Sequence, residues 1–309
     1  MIISNGLQPE KIGKIKSSVV TLGVFDGVHV GHRKILEKTA ADAKKLKATS
    51  IALTFETHPM KTTHRKAPAV ITDTEKKAEL ISAAGIDMLI VIDFNKKFAS
   101  IPAEKFIIEV LAEKLKIKKA VVGFDYRFGK GGRGDAALLK EYGKLYGFKV
   151  DRVRAMKCCG GIISSTEIRK RATEGDLRTA ERMLGRRYSL TGRIVHGDGR
   201  GAGLGFPTAN LNATNEVVPP EGVYAVTIKV GGRTYRGACG IGRPTFHPGE
   251  KHPPVEVNVI GLRKKDIYGE KAEVSFFRKL RDTRKFPSRD ALKRQIARDI
   301  EKCRKIRID

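Results

Sequence analysis

The chain has 309 residues, of which 40% are hydrophobic and 31% charged. This composition is typical of a globular protein, and the length is sufficient for two domains with substantial cores. No segment approaches the ~20 apolar residues of a transmembrane helix, and the first residues lack the apolar stretch of a signal peptide. We therefore expect a cytoplasmic protein that does not contact a membrane.

The net charge of +27 raises the question of a nucleic-acid partner. The basic residues, however, are spread over many helical faces, and the chain contains no tryptophan for a stacking platform. We expect no nucleic acid as a partner, and we attribute part of the charge to small anionic substrates that carry several phosphates. Nucleic-acid binding remains the alternative from a different class of function.

Strand and helix patterns alternate through the first ~185 residues. Strands are predicted at 19–22, 50–55, 88–92, 120–122 and 149–153, and helices at 33–46, 73–84, 103–114 and 136–145. This alternation predicts a parallel sheet with helices on both faces and ligands at the carboxyl ends of its strands. We expect an α/β domain over residues 1–184.

The pattern changes near Tyr188, where short β runs are separated by glycine turns. Such runs predict an antiparallel sheet or barrel. A final helix is expected over 288–306, with Arg and Lys near its end to suit the helix dipole. We expect this β domain to span residues 188–309.

The first predicted strand leads into a loop with two histidines, and residues 21–32 read TLGVFDGVHVGH. A strand, a tight loop and a helix N-terminus form the arrangement that α/β proteins use to bind phosphates. His29 and His32 are three residues apart, so they share a helix face and can reach one anion. Arg33 and Lys34 follow at once, although cations at a helix N-terminus are unfavourable unless an anion offsets them. The loop is therefore predicted to bind phosphate.

The string GVFDGVHVGH closely resembles the signature of the nucleotidyltransferase superfamily. The resemblance implies that His29 and His32 stabilise the charge that develops on the α-phosphate of ATP, and that Gly23 lets ATP approach the backbone. The other residues of the loop that it implies in ATP binding are Phe25, Asp26 and Gly31.

The later string SSTEIR contains a capping box, with Ser164 as N-cap and Glu167 as the third helical residue. By itself this pattern only begins a helix. It also resembles the second phosphate motif of the same superfamily, in which Ser/Thr and Arg bind the β- and γ-phosphates of ATP. The residues that match are Ser165, Thr166 and Arg169.

Two further loops resemble those of one branch of this superfamily, the prokaryotic FAD synthetases. Residues 121–135 read VVGFDYRFGKGGRGD, a glycine-rich basic loop in which Asp135 can cap the next helix. Residues 54–59 read TFETHP, with Thr57 where the branch usually has proline. The resemblance implies contact with flavin or nucleotide for His58, Asp125 and Arg127.

The second half contains a glycine-rich segment, GDGRGAGLGFPTANL, whose backbone N–H groups could bind phosphate. Its ending, PTAN, closely resembles the signature of riboflavin kinases. The resemblance implies that Thr208 and Asn210 hold Mg²⁺ and phosphate oxygens, and that Glu256 is the catalytic carboxylate. The loop glycines implied in phosphate binding are Gly201, Gly203 and Gly205.

Three departures from the riboflavin kinase pattern concern the detailed contacts. Ala202 and Gly203 replace a pair that usually contains Arg and Thr, and residues 240–246, GIGRPTF, are one residue shorter than the family string. Asn258 stands where histidine is frequent, whereas DIYG at 266–269 fits the pattern.

Both halves together are similar to the bifunctional riboflavin kinase/FAD synthetase family. The resemblance implies phosphorylation of riboflavin to FMN and adenylylation of FMN to FAD, with ATP as substrate and Mg²⁺ as cofactor. The alternatives are a single-activity member with one decayed site and an adenylyltransferase for another acceptor. We expect a monomer or weak homo-oligomer.

Four cysteines are present: Cys158, Cys159, Cys239 and Cys303. They match no zinc-site spacing, and the adjacent pair has poor geometry for an ordinary disulfide. We expect all four to be reduced structural residues.

Overall fold

A computed structural model describes residues 1–56, 59–61, 67–197, 200–242, 253–262 and 267–307. The chain forms two compact units. The first consists of Met1–Pro68 with Thr74–Ser164, and the second of Ala69–Asp73 with Ser165–Asp309. The predicted division into domains 1–184 and 188–309 remains a prediction.

The first unit alternates strands and helices, as the sequence predicts. Its elements are β1 (Ile2–Asn5), α1 (Pro9–Ile12), β2 (Ser18–Leu22), α2 (Val30–Leu46), β3 (Thr49–Phe55), a 3₁₀ turn (Pro59–Lys61), α3 (Thr74–Ala83), β4 (Met88–Ile92), α4 (Lys96–Ala99), α5 (Ala103–Lys105), a π-helical continuation of α5 (Phe106–Lys114), β5 (Ile117–Gly123), a 3₁₀ turn (Lys130–Gly132), α6 (Ala136–Tyr146), β6 (Lys149–Val153), β7 (Lys157–Cys158) and β8 (Gly161–Ile162).

Strands β1 to β6 form one sheet in the order β1-β4-β3-β2-β5-β6, and every pair is parallel. The predicted parallel sheet is confirmed. The edge strand β1 was not predicted, because it has only four residues and three of them are exposed.

Both faces of this sheet are covered, because neighbouring residues of a strand point to opposite sides. Along β3, Ile51 and Leu53 pack in one apolar cluster with Ile107 of the π-helical segment. Between them, Ala52 packs in a second cluster with Leu36 of α2. Strands β2 and β4 are buried along their whole length, and β4 is apolar throughout, as is typical of strands covered on both faces.

The strand order reverses between β2 and β5. The chain moves from β2 through β3 to β4 in one direction along the sheet, and from β5 to β6 in the other. Open α/β sheets bind ligands at such a switch point, outside the carboxyl ends of the strands. The loops that leave β2 and β5 begin at Gly23 and Phe124, so the topology places the candidate site beside the histidine loop.

The second unit contains a closed antiparallel barrel in the order β10-β13-β12-β11-β14-β9, which confirms the predicted antiparallel β fold. Its elements are α7 (Ser165–Thr173), α8 (Leu177–Leu184), β9 (Ser189–Val195), α9 (Arg200–Gly203), β10 (Ala209–Ala213), β11 (Gly222–Val230), β12 (Arg233–Ile241), β13 (Val255–Val259), β14 (Lys271–Arg281) and α10 (Arg289–Arg304). Within the described ranges, no helix is both long and apolar enough to cross a membrane.

The terminal helix α10 packs against strands β11 and β12 of the barrel. Ser288 caps it by accepting a hydrogen bond from the backbone N–H of Ala291 at 3.1 Å. Ile300 and Cys303 of α10 pack against Ala225 of β11 and its apolar neighbours. The predicted terminal helix is therefore present and amphipathic.

Segment 69–73 is bound to the barrel by hydrogen bonds. The Asp73 carboxylate accepts from the hydroxyls of Thr191, at 2.7 Å, and of Thr214. The amide of Asn215 donates to the carbonyl of Ile71. These bonds explain why residues far earlier in the sequence belong to the second unit.

Candidate active sites

The two histidines of the first loop stack at the N-terminus of α2. His29 is the N-cap residue, and its Nδ1 accepts a hydrogen bond from the backbone N–H of His32 at 3.1 Å. The ring centroids of His29 and His32 are 3.6 Å apart, with an angle of 17° between the ring planes. Because Nδ1 of His29 is an acceptor, the proton of the neutral ring lies on Nε2.

The backbone of this loop is strained. Phe25 and Val28 have φ values of +50° and +36°, in the left-handed region that favours glycine. A positive φ is an outlier for a β-branched residue, and each such position costs about 1–3 kcal/mol. The loop is also enclosed, since Phe25, Asp26, Val28 and His29 are all buried. Such strain is concentrated at functional sites.

Two glycines make room for the aromatic rings of the loop. A Cβ at Gly31 would lie 3.1 Å from the His29 ring, and a Cβ at Gly23 would lie 3.0 Å from the Phe25 ring. Phe25 in turn contacts His32 edge-on, with ring centroids 5.3 Å apart. Because Gly31 and Gly23 have no side chain, the rings of His29 and Phe25 can lie directly against them, and this fixes the position of the histidine pair. The approach of ATP to Gly23 remains a prediction.

The surroundings of His32 disfavour a positive charge on its ring. Burial lowers the pKa of His32 well below 6.5, and repulsion from His29 in its protonated form and from Lys77 lowers it further. Its Nδ1 is buried and has no hydrogen-bond partner in the described part of the chain. Lys77 lies on α3 with 5% of its surface exposed, and its Nζ donates to the carbonyl of Phe55 at 3.4 Å. The positive charge of Lys77 near the two imidazoles favours binding of an anion.

Sequence reasoning missed Lys77. Lysines of amphipathic helices are usually exposed, and nothing in the string TEKKAELISA distinguishes Lys77 from Lys76.

The loop after β5 presents Asp125 and Arg127 on the surface. Arg127 forms an ion pair with Asp135, at 3.2 Å. Asp135 caps α6 by accepting hydrogen bonds from two backbone N–H groups, which confirms the predicted cap. His58, predicted in the loop after β3, lies outside the described residues.

The predicted second phosphate motif begins α7, where Ser165 is the first helical residue. The guanidinium of Arg169 donates to the carbonyl of Ala69 at 2.6 Å. Because α7 belongs to the second unit, the grouping of Ser165, Thr166 and Arg169 with the histidines remains a prediction.

In the barrel, Asn210 of β10 pairs directly with Glu256 of β13. Opposite residues of an antiparallel pair point to the same face, with Cβ atoms about 4.5–5.5 Å apart. The strand neighbours of both residues are buried, so both side chains point away from the barrel core. The register therefore brings together the predicted catalytic carboxylate and a predicted metal ligand.

Two glycines of the segment before PTAN lie against the side chains of Thr208 and Asn210. A Cβ at Gly201 would lie 3.0 Å from the Thr208 hydroxyl, and a Cβ at Gly197 would collide with the side-chain amide of Asn210. Asn258 donates to the carbonyl of Pro207 at 2.9 Å, so this departure from the family pattern supports the turn before Thr208. Gly203 and Gly205 lie in open space.

The first unit is a parallel sheet with a histidine loop at its switch point. The second is a barrel in which Thr208 and Asn210 lie against loop glycines. The two features together are typical of enzymes that transfer nucleotidyl and phosphoryl groups. Two family models match the chain, FAD synthetase over residues 11–167 and riboflavin kinase over residues 184–307. The chain belongs to the bifunctional riboflavin kinase/FMN adenylyltransferase family.

Curated relatives and a solved structure resemble the chain over nearly its whole length. The bifunctional riboflavin kinase/FMN adenylyltransferase of Buchnera aphidicola (subsp. Schizaphis graminum) is 38% identical over 297 residues, or 94% of this chain and 95% of the relative. That of Escherichia coli K12 is 37% identical over 285 residues, or 91% and 90%. A crystal structure named as a macrolide-efflux protein from Streptococcus pneumoniae is 31% identical, with a TM-score of 0.88 and coverage of 99% and 100%.

Proposed function

We propose that the first domain transfers the adenylyl group of ATP to FMN and releases pyrophosphate, and that the barrel uses ATP to phosphorylate riboflavin to FMN. The observation that carries the proposal is the stacked pair of His29 and His32 at the switch-point loop. For the kinase activity of the barrel, the supporting observation is the pairing of Asn210 with Glu256 on neighbouring strands. Both reactions are nucleophilic attacks on phosphorus, in which positioning and charge stabilisation supply most of the catalysis.

In the adenylyl step, a phosphate oxygen of FMN attacks the α-phosphorus of ATP, and the bond to the β-phosphate breaks. Negative charge develops on the α-phosphate oxygens. His29, with its proton on Nε2, and the neutral ring of His32 supply N–H donors to that charge. A preorganised donor of this kind contributes on the order of 10²–10³ in rate.

Other residues of the adenylyl site have supporting roles in this proposal. Ser165, Thr166 and Arg169 bind the β- and γ-phosphates at the start of α7, where hydroxyls and a cation suit an anion. The nucleotide-binding loop comprises Gly23, Phe25, Asp26 and Gly31, and the flavin or nucleotide contacts are His58, Asp125 and Arg127.

In the kinase step, the 5′-hydroxyl of riboflavin attacks the γ-phosphorus of ATP and ADP leaves. The hydroxyl is a poor nucleophile and needs an acceptor for its proton. The exposed carboxylate of Glu256 is suited to this role, because Asn210 lies opposite it on the next strand. General bases contribute about 10²–10⁴ in rate.

The donor set of the barrel suits Mg²⁺. A threonine hydroxyl and an amide oxygen are ligands that a hard cation accepts, and the loop glycines Gly201 and Gly197 leave room beside both side chains. We assign Thr208 and Asn210 to Mg²⁺ and the phosphates, with Gly201, Gly203 and Gly205 beside the phosphates. When bound, Mg²⁺ would neutralise charge on the transferred phosphate.

Because both reactions consume ATP, we place the protein in the cytoplasm with small-molecule partners. We further propose a monomer or weak homo-oligomer. Light scattering of the purified protein measures its oligomeric state directly.

Separate incubations with each acceptor test the two activities and the alternative acceptor. With MgATP, FMN alone should give FAD, riboflavin should give FMN, and other mononucleotides should give no adenylylated product. An adenylylated product from another mononucleotide, with none from FMN, would establish the alternative adenylyltransferase. Conversion of only one flavin would establish a chain with one decayed site.

A further inference from the structure

The hairpin β7–β8 places two neighbouring thiols at the surface. The Sγ atoms of Cys158 and Cys159 are 2.9 Å apart. Cys159 is exposed and Cys158 half-buried, and neither is in a disulfide. The sequence predicts reduced structural residues here, but the exposed Cys159 has no packing role of the kind that buried cysteines have.

The hairpin turn gives Cys159 an unusual backbone conformation. Cys158 pairs with Gly161, and the two residues between them, Cys159 and Gly160, have φ values of +55° and +82°. Positive φ at both central positions is the type I′ turn, which favours Asn-Gly or Asp-Gly. A left-handed residue with a Cβ costs roughly 1–2 kcal/mol, so cysteine is not the residue that the turn itself favours.

The other two cysteines differ in their surroundings. Cys239 and Cys303 are buried. Burial raises the pKa of both thiols, that of Cys303 to about 11. Since the thiolate is the reactive form, these two thiols resist oxidation, and the exposed hairpin pair is the accessible one.

We propose that Cys158 and Cys159 form a redox-active dithiol, which closes reversibly to a vicinal disulfide when it meets a low-molecular-weight disulfide. The Cys159 thiolate attacks one sulfur of that disulfide and releases the first thiolate. The Cys158 thiolate then attacks the Cys159 sulfur and releases the second. Two electrons pass from the pair to the small disulfide, and the two cysteine protons pass to the released thiolates.

Geometry makes this bond labile. Ordinary disulfides join Cα atoms about 4.4–6.8 Å apart, whereas neighbouring Cα atoms are ~3.8 Å apart across a trans peptide. A strained and exposed disulfide has an oxidising potential and is easily reduced. The pair is therefore suited to a switch and not to a permanent cross-link.

The native full-length protein, treated with the aromatic disulfide dithiobis(nitrobenzoate), tests the proposal. Two equivalents of the aromatic thiol should be released rapidly, and the protein should lose the mass of two hydrogen atoms without retaining an aryl group. A monothiol reductant should restore both thiols. The proposal is wrong if two aryl groups remain attached, if no rapid release occurs, or if the oxidised pair resists the monothiol.

The variant Cys159→Asn is the matched control, because asparagine suits the left-handed turn position and lacks the second thiol. It should release one equivalent and retain one aryl group on Cys158. The variant Cys158→Ser should likewise retain one aryl group, on Cys159. Two equivalents released without a retained adduct in either variant would assign the reaction to other cysteines and overturn the proposal.

Discussion

Replacing Gly31 with alanine tests whether the His29 ring position, and not merely the stability of α2, controls adenylylation. Gly31 has a helical backbone that alanine also adopts. The added Cβ would lie 3.1 Å from Nδ1 and Cε1 of His29. Because that ring stacks on His32 and accepts its backbone N–H, it cannot move away without losing one of these contacts.

The expected change in stability is small, because two terms oppose each other. Alanine in place of glycine stabilises a helix by about 0.5–1 kcal/mol. Loss of the His29 N-cap bond costs about 0.5–2 kcal/mol. A Cβ at this distance displaces the His29 ring by a few tenths of an ångström. Because a misplacement of ~1 Å costs about 10²-fold in rate, we expect a several-fold loss of rate that stays below about 10².

The assay measures FAD formed from FMN, FMN formed from riboflavin, and the thermal unfolding midpoint of each protein. Gly31→Ala should lose adenylylation rate several-fold, by less than about 10², with little change in the kinase rate or the unfolding midpoint. The control is Gly161→Ala, where a Cβ meets no atom within 4 Å and φ is not positive; it should keep both activities. Normal adenylylation by folded Gly31→Ala would refute the reasoning.

His32→Ala should still form FMN but should lose on the order of 10²–10³ in FAD synthesis; undiminished FAD synthesis would contradict the assignment. Glu256→Gln keeps the shape of the side chain and should lose about 10²–10⁴ in riboflavin phosphorylation with adenylylation unchanged, whereas full kinase activity would place the base elsewhere. Lys77→Met removes a positive charge and should raise the pKa of His32 towards 6.5, as followed by NMR titration; an unchanged pKa would exclude this charge effect. Binding to random duplex DNA should be weak and should collapse with added salt, and tight sequence-selective binding would revive the nucleic-acid alternative.

The regular elements of the chain could be predicted because their apolar patterns are local. The predicted strands at 88–92 and 149–153 coincide with β4 and β6. The helix predicted over 103–114 is present, but its larger part is π-helical, with the N–H of Leu115 bonded to the carbonyl of Val110. The apolar periodicity of the sequence cannot distinguish a π-helix from an α-helix, because the change of winding is small.

The features that could not be predicted depend on contacts between distant residues. The burial of Lys77 results from packing of α3 beside the carboxyl end of β3. The bond from Thr191 to Asp73 joins residues 118 positions apart. For the site, spacing predicted the shared face of His29 and His32, whereas their stacking depends on Gly31 and Phe25.

The central claim is that one chain performs both steps, and a time course with riboflavin and excess MgATP tests it most directly. Chromatography should show FMN rising first and then converting to FAD, with one pyrophosphate released for each FAD. A chain that leaves riboflavin unchanged, or that accumulates FMN without FAD, would contradict the account.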